Sequence, residues 1–173
     1  MFGKPLRDYL FREKTNKSFY LKYIPPEDEI KSVLEICTPA QRFLLSFVEE
    51  SGCRIMEAIR LKYSDIDDET VTLYTRKSKN SNLTPRTIPK PICLNGSRGK
   101  GYVFKEWTEY PRFLEEKIKT LKLSNWSYHN LRHRRASIWA NSGMSLVELQ
   151  YRLGHSNLET TQGYLQLLKK NFR

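Results

Sequence analysis

The apolar positions of this chain fall into blocks with two different periods. In "CTPAQRFLLSFVEESG", Ala40, Phe43, Leu44, Phe47 and Val48 recur at the spacing of one helix face. Thr38 is placed as N-cap, Pro39 takes the first helical position, Gln41 completes a capping box and Gly52 stops the helix. Ahead of it, "YIPPEDEIKSVLE" predicts a helix opened by Pro25 and Pro26, with acids at its positive end. "RIMEAIRLK" predicts a short helix straight after Gly52. The period then changes. "SDIDDET" reads as a turn, "VTLYT" (71–75) and "RTIPKP" (86–91) as strands around a polar loop, and "GYVF" (101–104) as a third extended piece. Helical spacing returns in "YPRFLEEKIKTLK". It continues in "SYHNLRHRRASIWANSG", with Ser127 as N-cap and Gly143 as stop, and in "SLVELQYRLG", with Ser145 and Glu148 as a capping box and Gly154 at its end. "NLETTQGYLQLLKK", capped by Asn157, is the last predicted helix. The expected fold is α+β and mainly helical, with a small three-stranded antiparallel sheet inserted after the third helix. Residues 1–24 are basic and aromatic with weak periodicity, and read as an arm or linker before a domain at 25–173.

A length of 173 residues suits one domain with a proper core. The formal charge of +11 points to a polyanionic partner, nucleic acid before an acidic membrane surface. Cys37, Cys53 and Cys93 are far apart and form no C-x-x-C pair, so neither a disulfide framework nor a zinc site is expected. The first residues are charged throughout and lack the apolar segment of a signal peptide, and no apolar run approaches a membrane span. These features predict a cytoplasmic location.

Charge is unevenly spread. From Thr70 to Lys105 there is no Asp or Glu, while Arg76, Lys77, Lys79, Arg86, Lys90, Arg98, Lys100 and Lys105 all fall there. A sheet edge and loops of one sign suit a surface that tracks phosphates, and Arg76, Lys79, Arg86 and Lys90 are the candidate DNA contacts. A solvated basic hairpin has the same composition.

Four fragments carry candidate chemistry. "DIDD" (65–68) lacks the glycine and terminal glutamate of a calcium loop and has no second carboxylate cluster beside it, so no metal site is expected. "YHNLRH" puts His129 and Arg132 on one helix face near an N-terminus, a plausible phosphate site. In "SGCRIMEAIRLK", Arg54 sits at a break between helices with Glu57 three residues on to orient it. "RLGHSNLETTQGYLQ" fits either the turn of a helix-turn-helix or ordinary packing, although a recognition helix without Lys or Arg is unusual.

In chain order these fragments resemble the tyrosine recombinase (phage integrase) family. The matching residues are Arg54 in "SGCRIMEAIRLKYSDID", Lys77 in "YTRKSKN", His129 and Arg132 in "HNLRH", His155 in "LGHSNLETT" and Tyr164 in "TTQGYLQ", over roughly residues 25 to 166. Lys79 rivals Lys77. Arg135 replaces an aromatic residue common in the family, so the helix there is expected to pack differently or to face DNA. Gly163 stands before the tyrosine where a larger residue is common. The family's N-terminal DNA-clamping domain is expected to be missing from this chain.

The resemblance implies a catalytic domain that cuts and rejoins double-stranded DNA without metal, cofactor or ATP. Arg54 and Arg132 would bind the non-bridging oxygens of the scissile phosphate and match the charge that grows in the transition state. Tyr164 would attack, although a phenol with a pKa of about 10 is only about one part in a thousand ionised at neutral pH. His129 is implied as base, His155 as a hydrogen bond to a non-bridging oxygen and Lys77 as general acid. The product would be a 3′-phosphotyrosyl intermediate that a 5′-hydroxyl can reverse. A homo-tetramer on paired DNA sites is implied as the working assembly. A type IB topoisomerase-like relaxing activity and a DNA-binding module with a dead site are the alternatives.

Overall fold

Helix ends sit where capping residues place them. In the computed structural model, which describes residues 23–76 and 81–155, six α-helices and a hairpin are arranged around one main core. Lys77, Lys79, Asn157, Gly163 and Tyr164 lie outside the described residues. Helix α1 is Glu27–Glu35, α2 Pro39–Ser51, α3 Ile55–Ala58, α4 Phe113–Thr120, α5 Tyr128–Asn141 and α6 Leu146–Leu153. Thr38 Oγ1 accepts from the Gln41 backbone N–H and Gln41 Oε1 accepts from that of Thr38, which closes the expected box on α2. On α5 the Ser127 backbone N–H and Oγ both donate to Asn130 Oδ1, and on α6 Ser145 Oγ accepts from the Glu148 backbone N–H.

Helix α2 runs through the core. Its Leu44, Leu45, Phe47 and Val48 are fully buried, against Val33 of α1, Leu114 of α4 and Leu131 of α5. Phe104 adds its ring 5.0 Å from Phe43 and 5.2 Å from Phe47. A smaller cluster of Ala136, Ala140, Leu149 and Leu153, flanked by Trp139 and Met144, fastens α6 to α5. The two clusters hold α5 from both sides, so the residues of "HNLRH" ride on a rigid element.

Strands β1 (Thr70–Arg76) and β2 (Leu83–Pro89) pair antiparallel, with Val71 opposite Ile88 and Leu73 opposite Arg86. Val71, Leu73, Thr75, Arg86 and Ile88 face inward. The expected third strand is not formed: among the described residues the sheet has two strands. "GYVF" makes one bridge, Lys62 to Tyr102, flanked by hydrogen bonds from Tyr63 N to Gly101 O and from Val103 N to Leu61 O. The ladder cannot extend because Lys62 leads straight into a 3-10 turn at Tyr63–Asp65, and Gly101 turns the other chain with φ +75°. No helix among the described residues is long and apolar enough to cross a membrane.

Candidate active site

Gly52 ends α2 in the left-handed region (φ +60°), a conformation that costs any residue with a Cβ. Two residues on, Arg54 is extended and caps α3, and its side chain is 40% exposed. Glu57, one turn further, receives the Arg54 backbone N–H at 2.9 Å and Arg54 Nη1 at 3.1 Å. Only 2% of the Glu57 side chain is exposed. Thr75 Oγ1 donates to it at 2.8 Å, and Arg86 Nη1 and Nη2 donate at 3.0 and 2.6 Å. Burial alone would raise the Glu57 carboxyl, but the hydrogen bonds and charge of Arg86, the Arg54 backbone and Arg132 outweigh it and hold it at about 2. Glu57 is thus a carboxylate at neutral pH, and it fixes the base of Arg54.

Arg132 is buried on α5. Its Nη1 donates to the Gly52 carbonyl at 2.9 Å and its Nη2 to the carbonyl of Leu153, the last residue of α6. These bonds satisfy carbonyls that a helix end leaves without a partner, and they bring the start of the Arg54 segment to the end of α6. That end closes in a Schellman turn: Gly154 N–H bonds Tyr151 O, His155 N–H bonds Gln150 O, and Gly154 takes φ +62°. The turn delivers His155 to Arg132, with Nη2 and Nε2 3.0 Å apart. Burial first, then the charges of Arg132, Arg54, Arg86 and His129, pull His155 down to about 3, so the imidazole is neutral at pH 7. His129 is exposed on α5 with its ring edge-on to the buried His133, centroids 4.4 Å apart.

The structure therefore brings together Arg54, Glu57, His129, Arg132 and His155, five of the residues singled out in the sequence. Two expected DNA contacts move. Arg86 is 5% exposed and sits inside the site, because the alternation of β2 puts it on the same face as Ile88. That alternation is the signal that could have placed it. Arg135 turns onto Glu49, with Nε to the backbone carbonyl and Nη2 to Oε2, both at 2.7 Å. Its aliphatic part and Trp139 cover Gly52. Arg76 is exposed at the end of β1, and Lys90 is half-buried with Nζ 3.5 Å from the Asp68 carbonyl. Thr75 and Gln150 join the site without having been expected there; Gln150 Nε2 holds the His155 carbonyl at 3.2 Å. A shallow cleft of about 230 Å³ lined by Thr75, Arg86, Gln150, Tyr151 and His155 opens beside it. Among the described residues, no group of three His, Cys, Asp or Glu side chains is placed to hold a metal ion.

Two arginines and a histidine thus converge from separate segments of a mainly helical α+β domain, an arrangement of donors able to bind a phosphate. Comparison with known proteins gives the following similarities. Residues 105–171 match the model of the phage integrase family. The chain is 26% identical over 167 residues to tyrosine recombinase XerA of Thermococcus onnurineus, covering 84% of this chain and 58% of that protein. It is 28% identical over 208 residues to tyrosine recombinase XerC of Bacillus licheniformis, covering 95% of this chain and 67% of the relative. The fold is similar to the catalytic domain of bacteriophage HP1 integrase, with a TM-score of 0.68, 22% identity and coverage of 83% of this chain and 87% of that one. The chain is similar to members of the tyrosine recombinase (phage integrase) family in its C-terminal part and in its fold. It spans between about half and two thirds of the length of these curated relatives and of a third, from Chlamydia trachomatis.

Proposed function

We propose that residues 25–173 form the catalytic domain of a site-specific DNA recombinase or integrase that works through Tyr164. The observation that carries this reading is the 3.0 Å meeting of Arg132 and His155, beside an Arg54 whose guanidinium is anchored on Glu57 yet exposed. A phosphodiester placed there receives two guanidiniums whose hydrogen bonds strengthen as charge builds on its non-bridging oxygens. A neutral His155 adds a third hydrogen bond without competing for the anion as a charge. Its proton moves to Nε2 when phosphate oxygen replaces the Arg132 contact.

In the reaction, Tyr164 Oη forms a bond to phosphorus as its proton passes to His129. The bond from phosphorus to the 5′ oxygen breaks, and that oxygen takes a proton from Lys77, with Lys79 as the alternative acid. The phosphotyrosyl bond keeps the energy of the broken linkage, so a 5′-hydroxyl from the same or another duplex reverses the step without ATP. Double-stranded DNA is the substrate, and the exposed Arg76 and Arg98 with the half-buried Lys90 suit its backbone. A homo-tetramer on paired sites is the assembly that exchange between duplexes requires, and the cytoplasm is the compartment where that DNA lies.

The test is a pool of nicked suicide duplexes with randomised sequence. Incubation with the protein, denaturation in detergent and recovery of protein-linked strands is expected to yield a covalent adduct, absent with Tyr164→Phe. A protein that binds the pool but yields no adduct overturns the reading. Adducts that lead to relaxation of supercoils but never to exchange would move it to a topoisomerase.

A further inference from the structure

The proposed reaction leaves one buried cation without a task. Arg86 lies in the most basic stretch of the chain, yet its guanidinium is enclosed. Nη2 and Nη1 bind the two oxygens of Glu57 at 2.6 and 3.0 Å, and Nη1 also meets Thr75 Oγ1. On the opposite side, Nε donates to the Arg152 carbonyl at 3.0 Å. Gly154 lies directly on this guanidinium: a Cβ there would stand 3.0 Å from Nη1 and 3.1 Å from Cδ. One planar side chain is therefore clamped between the carboxylate that holds Arg54 and the helix end that presents His155. A rigid fork with donors on both edges suits this double duty, whereas a lysine offers one point charge.

We propose that Arg86 is a positioning residue for DNA strand cleavage, locking Glu57 against Arg54 and the end of α6 beneath His155 so that both phosphate-binding groups keep one geometry. The inference rests on the recombinase reading above. Because Arg86 comes from β2 and Thr75 from β1, the Glu57 carboxylate ties both strands to the same point. Glu57 faces Arg54 from its own helix, Thr75 and Arg86 from the hairpin, Arg132 from α5 and the Cys53 thiol. With Arg86 removed, the burial that raises this carboxyl loses its main opponent. A support that only held the fold together would lower the melting temperature and leave the pH profile of cleavage alone.

The experiment uses the full chain and a duplex recovered as a covalent adduct from the randomised pool. Single-turnover cleavage at saturating DNA is followed across pH for the native protein, Arg86→Lys, and the pair Arg86→Met with Glu57→Gln. The pair removes both buried charges and keeps the test open if a single variant fails to fold. Arg86→Lys is expected to cleave about 10–100-fold more slowly with DNA affinity little changed. It should also acquire an acid limb above the ordinary carboxyl value of 4.5. The double variant is expected to be slow at every pH, without that limb. Native-like cleavage by both variants, or a loss confined to DNA affinity, overturns the proposal. Absence of any adduct with the native protein removes the recombinase reading itself, before a variant is compared.

Discussion

Arg132 Nη2 lies 3.0 Å from Nε2 of His155, a residue 23 positions further along the chain and beyond the end of a different helix. A guanidinium can only donate, so Nε2 accepts and Nδ1 carries the ring proton. Burial and, after it, the surrounding cations hold the imidazole at about 3. A bound phosphate brings the opposite charge, so occupancy of the site should raise this value. NMR titration of the His155 ring is expected to show no transition near 6.5 in the free protein. An upward shift is expected when Tyr164→Phe is bound to the recovered duplex. A free-protein transition at the ordinary value would contradict the geometry.

His155 and Glu57 together predict how stability depends on pH. The folded pKa of His155 lies below its unfolded value of 6.5, so the unfolded chain binds the extra proton between 6.5 and about 3. Its contribution is full above 6.5 and is lost as pH falls through that window. Glu57 behaves likewise lower down, ionised in the fold to about 2 but protonated near 4.5 when unfolded. Denaturant midpoints should decline below pH 6.5 and more steeply below 4.5. His155→Gln should flatten the upper part only.

Glu57→Ala should be among the most destabilising single changes in the domain. It leaves Arg86 buried with its main counter-charge gone, a situation that costs about 3–5 kcal/mol. Adding Arg86→Met to that variant should recover part of the loss, since an uncharged pair leaves nothing to compensate. Urea unfolding of the single and double variants measures both numbers. A double variant no more stable than Glu57→Ala would place the cost elsewhere, in packing around Thr75.

Local signals explain what was legible in the sequence. Thr38 and Ser145 announce helix starts because their side chains accept from specific backbone N–H groups, Ser127 announces one through its bonds to Asn130, and Gly52 and Gly154 announce stops because their φ is positive. The site residues were legible as short motifs, but their union depends on long-range contacts such as Arg132 to the Gly52 carbonyl. "GYVF" looked like a strand from its side chains, yet a strand needs a partner, and the Lys62 segment turns away after one bridge. Arg86 was misplaced because charge was read by sign along the chain. Strand alternation with Ile88 decides its side of the sheet, and Glu57, 29 positions away, makes its burial tolerable.

Gly154→Ala tests how tightly the end of α6 is packed. At φ +62° a Cβ adds about 1–2 kcal/mol of backbone strain. The methyl group also lands 3.0 Å from Arg86 Nη1, closer than ordinary contact. The variant should melt lower than the native protein and cleave more slowly, because the Arg86 fork and the His155 turn cannot both stay in place. Gly143→Ala, also at positive φ but with open space around the added atom, serves as the comparison. It should lose stability alone.

Arg135 and the cations Arg76 and Lys90 should separate cleanly in a salt titration. Arg135 spends two hydrogen bonds on Glu49, whose other oxygen takes Arg134 Nη1 at 2.6 Å. Truncation to alanine breaks charge-assisted bonds in a half-buried setting, so Arg135→Ala should cost about 1–3 kcal/mol of stability. Its DNA affinity, measured where the variant is folded, should fall with salt along the native line. Arg76 and Lys90 present charge on the outer side of the strands and the turn that follows. Each phosphate contact contributes about 0.9 to the slope of log affinity against log salt. Arg76→Ala and Lys90→Ala should therefore each weaken binding, reduce the slope by about one and leave the melting temperature near native. An unchanged slope in both would remove the hairpin from the DNA path, whereas a reduced slope in Arg135→Ala would return that residue to it.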